Sequence, residues 1–152
     1  MQLQISKDYG YVLLAGIWLY LNSALILVIP VNRARKKYGV KAPTIYPRDS
    51  EIKKLKMSEV DVKDYMSCQR GHLNNVEFSS VFVPILLVGG LVSGDRTFEI
   101  ACAGMFAAFF RMLGGLLYPY GMRGAGALFH IAELYIITVI GQQAMAMIND
   151  SP

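Results

Sequence analysis

Charge is scarce in this sequence. Of its 152 residues only 17% are Asp, Glu, Lys or Arg, against roughly 25% in an average soluble domain. A chain this short has much surface for its volume, and it lacks the polar residues to cover that surface. Hydrophobic residues reach 54% and the mean hydropathy is +0.38. That excludes both a soluble globular domain and a disordered segment. Cysteine is just as sparse. Cys68 and Cys102 are the pair present, with no CxxC and no Cys/His cluster. A disulfide scaffold is excluded, and no metal-ligand set is evident. Neither cysteine has a neighbouring base that would mark a nucleophile. Internal repeats, low-complexity stretches and coiled-coil heptads are missing too. The length allows one domain, residues 1–152.

What the sequence does hold is long uncharged runs. Residues 9–32 carry no formal charge, and a helix needs about 20 residues to cross the hydrocarbon. The run is too long for the apolar part of a signal peptide, so it reads as a retained first span. Residues 78–94 form a second run, extended backwards by a polar, helix-compatible stretch. The run 100–122 is broken by Arg111, and the run 124–149 by Glu133. The expectation is an all-α integral membrane bundle with transmembrane helices at about 9–32, 62–93, 98–121 and 124–148. A loop at about 33–61 joins the first two.

Residues 33–63 carry ten of the fifteen Lys+Arg. By the positive-inside rule this loop faces the cytosol. The turn near Arg123 then shares that side, while the turn near Gly94 and both termini lie in the lumen. A net charge of +4 distributed this way suits anionic lipid headgroups, not nucleic acid.

The informative residues are the charges a membrane should exclude. Arg70, Glu77, Arg111 and Glu133 lie within the spans or just inside their ends. Each costs at least about 2.5–3.5 kcal/mol there unless it is paired or wet. Arg70, Asn74 and Glu77 stand at i, i+4 and i+7, on one helix face within about 60°. Arg111 and Tyr118 are also seven apart on the third span. Arg35, Lys36, Arg70 and Arg123 all fall toward the cytosolic side, where they can converge on an anionic, polar ligand. Plainer readings stay open. Arg70 and Glu77 can be a structural ion pair, and Arg111 can pair with Glu77 or Glu133 to hold the bundle. His130 and Glu133, three apart, can bond each other. His72 points away from the Arg70 stripe, as a packing or interfacial histidine does. Gly114 and Gly115 suit close helix contact.

The segment from Cys68 to Glu77, with its Arg70-x-x-x-Asn74-x-x-Glu77 spacing, resembles the signature of the MAPEG family, the membrane-associated proteins in eicosanoid and glutathione metabolism. Three other segments share the likeness: Ser6 to Leu14, Ala34 to Tyr38, and Leu117 to Gly121. The resemblance covers about residues 5 to 145. It implies a homotrimer of four-helix subunits in the endoplasmic reticulum, with glutathione bound between neighbours near the cytosolic face. Arg70, Asn74 and Glu77 would hold the charged ends of the tripeptide, and Arg35 or Lys36 would reach in from the adjoining subunit. Arg111 and Tyr118 match the family's spacing, with Tyr118 lining the cleft. Tyr120 competes with it for the place beside the sulfur. Arg123 would be the catalytic arginine that stabilises the thiolate.

That chemistry asks for no metal. Glutathione is the co-substrate, and a lipophilic small molecule arriving from the membrane lipid is the electrophile. A free thiol titrates near pH 8.5, so little is ionised at pH 7, and a guanidinium beside the sulfur raises that fraction. A hydroperoxide would be reduced, and an epoxide or aryl halide conjugated. The alternatives are a non-catalytic lipid-binding scaffold of the same family and a small channel or transporter subunit. The scaffold has no need of Arg123, and the channel needs charge along a continuous pore.

Overall fold

The computed structural model describes residues 5–149, apart from the side chain of Arg123. The first apolar run folds as α1 (Tyr9–Leu21), a π-helical turn (Asn22–Ile26) and α2 (Val28–Tyr38). The interruption has a local cause. Asn22 is a polar residue in the middle of this apolar run, and it is fully buried. Its Nδ2 donates to the Ala108 carbonyl of the third span at 2.8 Å, the kind of interhelical bond a polar side chain makes in lipid. The backbone widens by one residue there, and the Leu27 N–H reaches the Asn22 carbonyl at 2.8 Å. The helix then runs to Tyr38, past the predicted edge at 32. Arg35, Lys36 and Lys37 occupy the last turn, where cations complement the helix dipole. Gly39, at φ +71°, ends it.

The loop predicted at 33–61 holds a short helix, α3 (Asp49–Leu55). The Glu51 carboxylate caps it by accepting from the Arg48 N–H at 2.9 Å. The second span is α4 (Glu59–Val92), which starts ahead of the predicted residue 62. Ser58 and Asp61 explain that start. Each side chain accepts from the other's backbone N–H, at 2.9 and 3.2 Å, closing a capping box. The third span is α5 (Thr97–Leu117), continued by a 3-10 turn (Tyr118–Tyr120). A second 3-10 turn (Arg123–Gly126) leads into α6 (Phe129–Asn149). Among the described residues there is no strand.

Four helical segments are long and apolar enough to cross a membrane: Tyr9–Tyr38, Glu59–Val92, Gly94–Tyr120 and Gly124–Asn149. The outward faces agree. Ile131 and Leu134 of α6 are 61% and 66% exposed, and Leu14, Ile17 and Leu25 of the first span are similarly bare. Such surfaces are a liability in water and the proper state in hydrocarbon. This is an integral membrane protein. Its core runs between the spans, from Val12 and Leu19 through Phe82, Leu86 and Ile100 to Ile136 and Val139.

Packing is closest where α4 crosses α5. A Cβ at Gly71 would stand 2.6 Å from the Gly115 carbonyl oxygen. That neighbour is backbone, so it cannot rotate away. Gly71→Ala should therefore lower unfolding stability in mild detergent by about 1–3 kcal/mol. Gly10, in α1, has open space around its Cα. Gly10→Ala should leave stability unchanged or raise it by up to about 1 kcal/mol. Equal melting temperatures for the two variants would contradict this crossing.

Candidate functional site

The cavity that gathers Asn74, Arg111 and Tyr118 is made by glycine. A Cβ on Gly114 of α5 would lie 2.8 Å from the Gly126 Cα. Without side chains on either residue, the Arg123–Gly126 turn lies flat against α5. Above this contact is a cavity of about 220 Å³ bounded by α4, α5, the turn and the start of α6. Asn74, Arg111, Tyr118, Phe129 and His130 line it beside the glycines.

Arg111 dominates its chemistry. The guanidinium sits between two rings, 4.7 Å from the centroid of Phe78 and 4.6 Å from that of Phe129. Its Nη2 donates to the Asn74 carbonyl. Its Nε is buried without a hydrogen-bond partner. Among the described residues no carboxylate comes within 4 Å of it. Glu77 and Glu133 are near enough to feel its charge, but each has another partner. Glu77 Oε1 lies 3.8 Å from Arg70 Nη1, and Glu133 Oε2 lies 2.8 Å from His130 Nδ1. The sequence left open that Arg111 pairs with Glu77 or Glu133; the structure pairs it with neither. Two aromatic faces and a backbone carbonyl hold it instead.

The polar stripe on α4 straddles the rim. Asn74 is in the cavity wall. Arg70 and Glu77 stand outside it, with side chains 45% and 63% exposed. Their ion pair is within one helix, long at 3.8 Å, and exposed on the surface of the single chain. Tyr46 and Tyr118 are both close enough to interact with the Arg70 charge. Tyr46 belongs to the segment 41–48, which the Tyr65 hydroxyl ties to α4 by donating to the Thr44 carbonyl at 3.2 Å. Tyr120 is 79% exposed and lies outside the cavity lining.

Other marked residues lie apart. Arg35 is half-buried with Nη1 unpartnered, and Lys36 is exposed. Both are on α2, and neither lines the cavity of its own chain. Arg123 opens the turn that carries Gly126; its side chain, the predicted catalytic group, lies outside the described residues. His72 is on the opposite face of α4, with Nε2 3.1 Å from the Ser23 carbonyl. Among the described residues no group of three His, Cys, Asp or Glu is placed to hold a metal. Sequence reasoning missed Phe129 and Gly71, and with them the contact of Phe78 with Arg111 and of Gly126 with Gly114. Phe78 follows Asn74 by one helical turn and was open to that inference. Nothing local marks Phe129, because its role comes from how α6 docks.

The MAPEG family model matches residues 10–141, which include every site residue named above. The chain belongs to the MAPEG family. No solved structure matches it. The family includes glutathione transferases and peroxidases alongside other members, and this MAPEG protein carries the four apolar spans with its marked residues gathered toward one end.

The energetics of Arg111 can be checked alone. Burying the cation in a span costs about 2.5–3.5 kcal/mol. Two ring contacts return about 0.5–2 kcal/mol each. The terms nearly cancel, so Arg111→Met should melt within about 1 kcal/mol of wild type without ligand. A loss above about 3 kcal/mol would make Arg111 a structural keystone instead.

Proposed function

We propose that this MAPEG protein is a membrane-bound glutathione transferase and peroxidase. The observation that carries the reading is a cation in a small cavity with no carboxylate within 4 Å among the described residues, beside an Arg/Asn/Glu stripe along the cavity rim. Glutathione supplies the matching groups: two carboxylates, an ammonium and a thiol. Arg70 offers a planar fork to a carboxylate, Glu77 takes the ammonium, and Asn74 bridges from the wall. Arg111 and Tyr118 line the inner end. Arg123 stabilises the thiolate from the turn above. Arg35 or Lys36 comes from a neighbouring subunit of a homotrimer, because within one chain neither reaches the cavity. The sequence likeness at Ser6 to Leu14, Ala34 to Tyr38 and Leu117 to Gly121 is to microsomal glutathione S-transferase 3. The working place is the endoplasmic reticulum, with the site facing the cytosol.

The reaction begins when the thiol loses its proton to solvent. Guanidinium is already protonated, so it acts as fixed positive charge and not as a base. On an epoxide, as in a leukotriene C4 synthase-like conjugation, a C–S bond forms, a C–O bond breaks and the alkoxide takes a proton. On a lipid hydroperoxide the sulfur attacks the terminal oxygen and the O–O bond breaks. Alcohol and glutathione sulfenic acid result, and a second glutathione converts the latter to disulfide and water.

A second reading, a non-catalytic lipid-binding scaffold, is favoured by one observation. A largely apolar groove of about 570 Å³ lies between the first span and α4, lined by Tyr20, Val76, Val83 and Pro84 among others. Purified protein assayed with glutathione against a lipid hydroperoxide and an aryl halide separates the two. Turnover of either supports the enzyme, and inactive, folded protein supports the scaffold.

Arg70→Ala and Glu77→Gln should each weaken glutathione binding about 10- to 150-fold, the range for losing a charge-assisted hydrogen bond. Turnover at saturation should change less, because both side chains hold ends remote from the sulfur. His72→Ala, on the other face, should leave affinity nearly intact. Calorimetric titration of the folded variants reads this directly, and unchanged affinity in Arg70→Ala would remove the stripe from the site. Mass measurement in mild detergent should give three chains. An active monomer would rule out the shared site.

A further inference from the structure

We propose that Arg111, from the inner end of the cavity, directly holds the sulfur of bound glutathione as its thiolate. This rests on the glutathione-dependent reading and adds a second catalytic arginine to it. The geometry carries the argument. The Phe78 and Phe129 rings and the Asn74 carbonyl fix the guanidinium in place. Its buried Nε has no acceptor, and no carboxylate among the described residues lies within 4 Å. A buried charge is ordinarily paired. Here the missing partner is an anion small enough to enter a cavity of about 220 Å³, whose wall is glycine backbone and the rings of Phe110, Phe129 and Tyr118 as well as Asn74 and His130. Carboxylates keep their hydration strongly and already have Arg70 at the exposed rim. A thiolate is larger, softer and more weakly hydrated, so it suits the drier end. Electrostatics fixed before the reaction costs no reorganisation during it.

The surrounding groups are compatible. Glu77 and Arg70 face from α4, Glu133 and His130 from α6, and Tyr118 from the end of α5; the turn that Arg123 opens follows α5. The two carboxylates are engaged by Arg70 and His130, which leaves the Arg111 charge available. His130 adds positive charge only when protonated. The thiol proton leaves to solvent, and Arg111 stays protonated throughout.

The test is thiolate absorbance of bound glutathione across pH, in wild type, Arg111→Met, Arg111→Lys and Arg123→Ser. Arg111→Met should still bind the tripeptide and should raise the thiol pKa by at least about one unit. Its turnover at pH 7 should fall about tenfold or more and recover as pH rises. Arg111→Lys keeps the charge without the fork, so its titration should fall between the two even if the methionine variant fails to fold. The Arg111→Met/Arg123→Ser double variant should titrate like free glutathione. Wild-type titration in both Arg111 variants would overturn the proposal. So would lost affinity with an unshifted titration, which would place a glutathione carboxylate on Arg111. A second probe, thiocyanate, separates this inference from the function reading. It should raise the melting temperature of wild type above that in equal chloride, and not that of Arg111→Met. Protection by thiocyanate without glutathione binding would sink the glutathione reading and keep a soft-anion site at Arg111. Protection by neither would sink both.

Discussion

The structure around the site depends on one cation held away from its usual partners. Arg111 lies in the third span, where a charge is costly. Phe78 from α4, Phe129 from α6 and the Asn74 carbonyl converge on it. These contacts join three of the four spans at one point. They hold the guanidinium still without neutralising it, which an ion pair with Glu77 or Glu133 would have done. The price in stability is small, because ring contacts offset much of the burial cost. What remains is a fixed positive potential beneath a cavity.

The cavity itself follows from missing side chains. Gly71 lets α4 approach the α5 backbone, and Gly114 with Gly126 lets the turn before α6 lie against α5. The same contact brings the Arg123 backbone within a few residues of the cavity wall. Thus the glycine contacts that shape the cavity also place the turn that Arg123 opens. At the other end of the spans Arg96 donates to Gln142 at 2.8 Å and to the Tyr135 hydroxyl at 3.0 Å, fastening the start of the third span to α6. That network is remote from the cavity and reads as structural.

Much of this was legible in the chain. Four apolar runs determine four spanning helices, because hydrocarbon leaves a lone chain segment few other ways to satisfy its backbone. The Arg70, Asn74, Glu77 spacing fixes a helix face whatever the tertiary structure. Legibility stopped where partners come from different helices. Periodicity placed Arg111 and Tyr118 on one span, but it could not choose between carboxylates and rings as the neighbours of Arg111. Nor did it foresee that Asn22 would widen the first helix by bonding to Ala108, or that the capping pair Ser58 and Asp61 would start α4 early. Both Arg35 and Lys36 are away from the cavity in a single chain, so their proposed part depends on assembly.

The central claim is that the cavity and its rim take glutathione. Calorimetric titration of the purified protein in mild detergent with reduced glutathione tests it most directly. The account predicts saturable binding that is lost when Arg70 and Arg111 are replaced together. Heats no different from dilution, from protein shown to be folded, would contradict it.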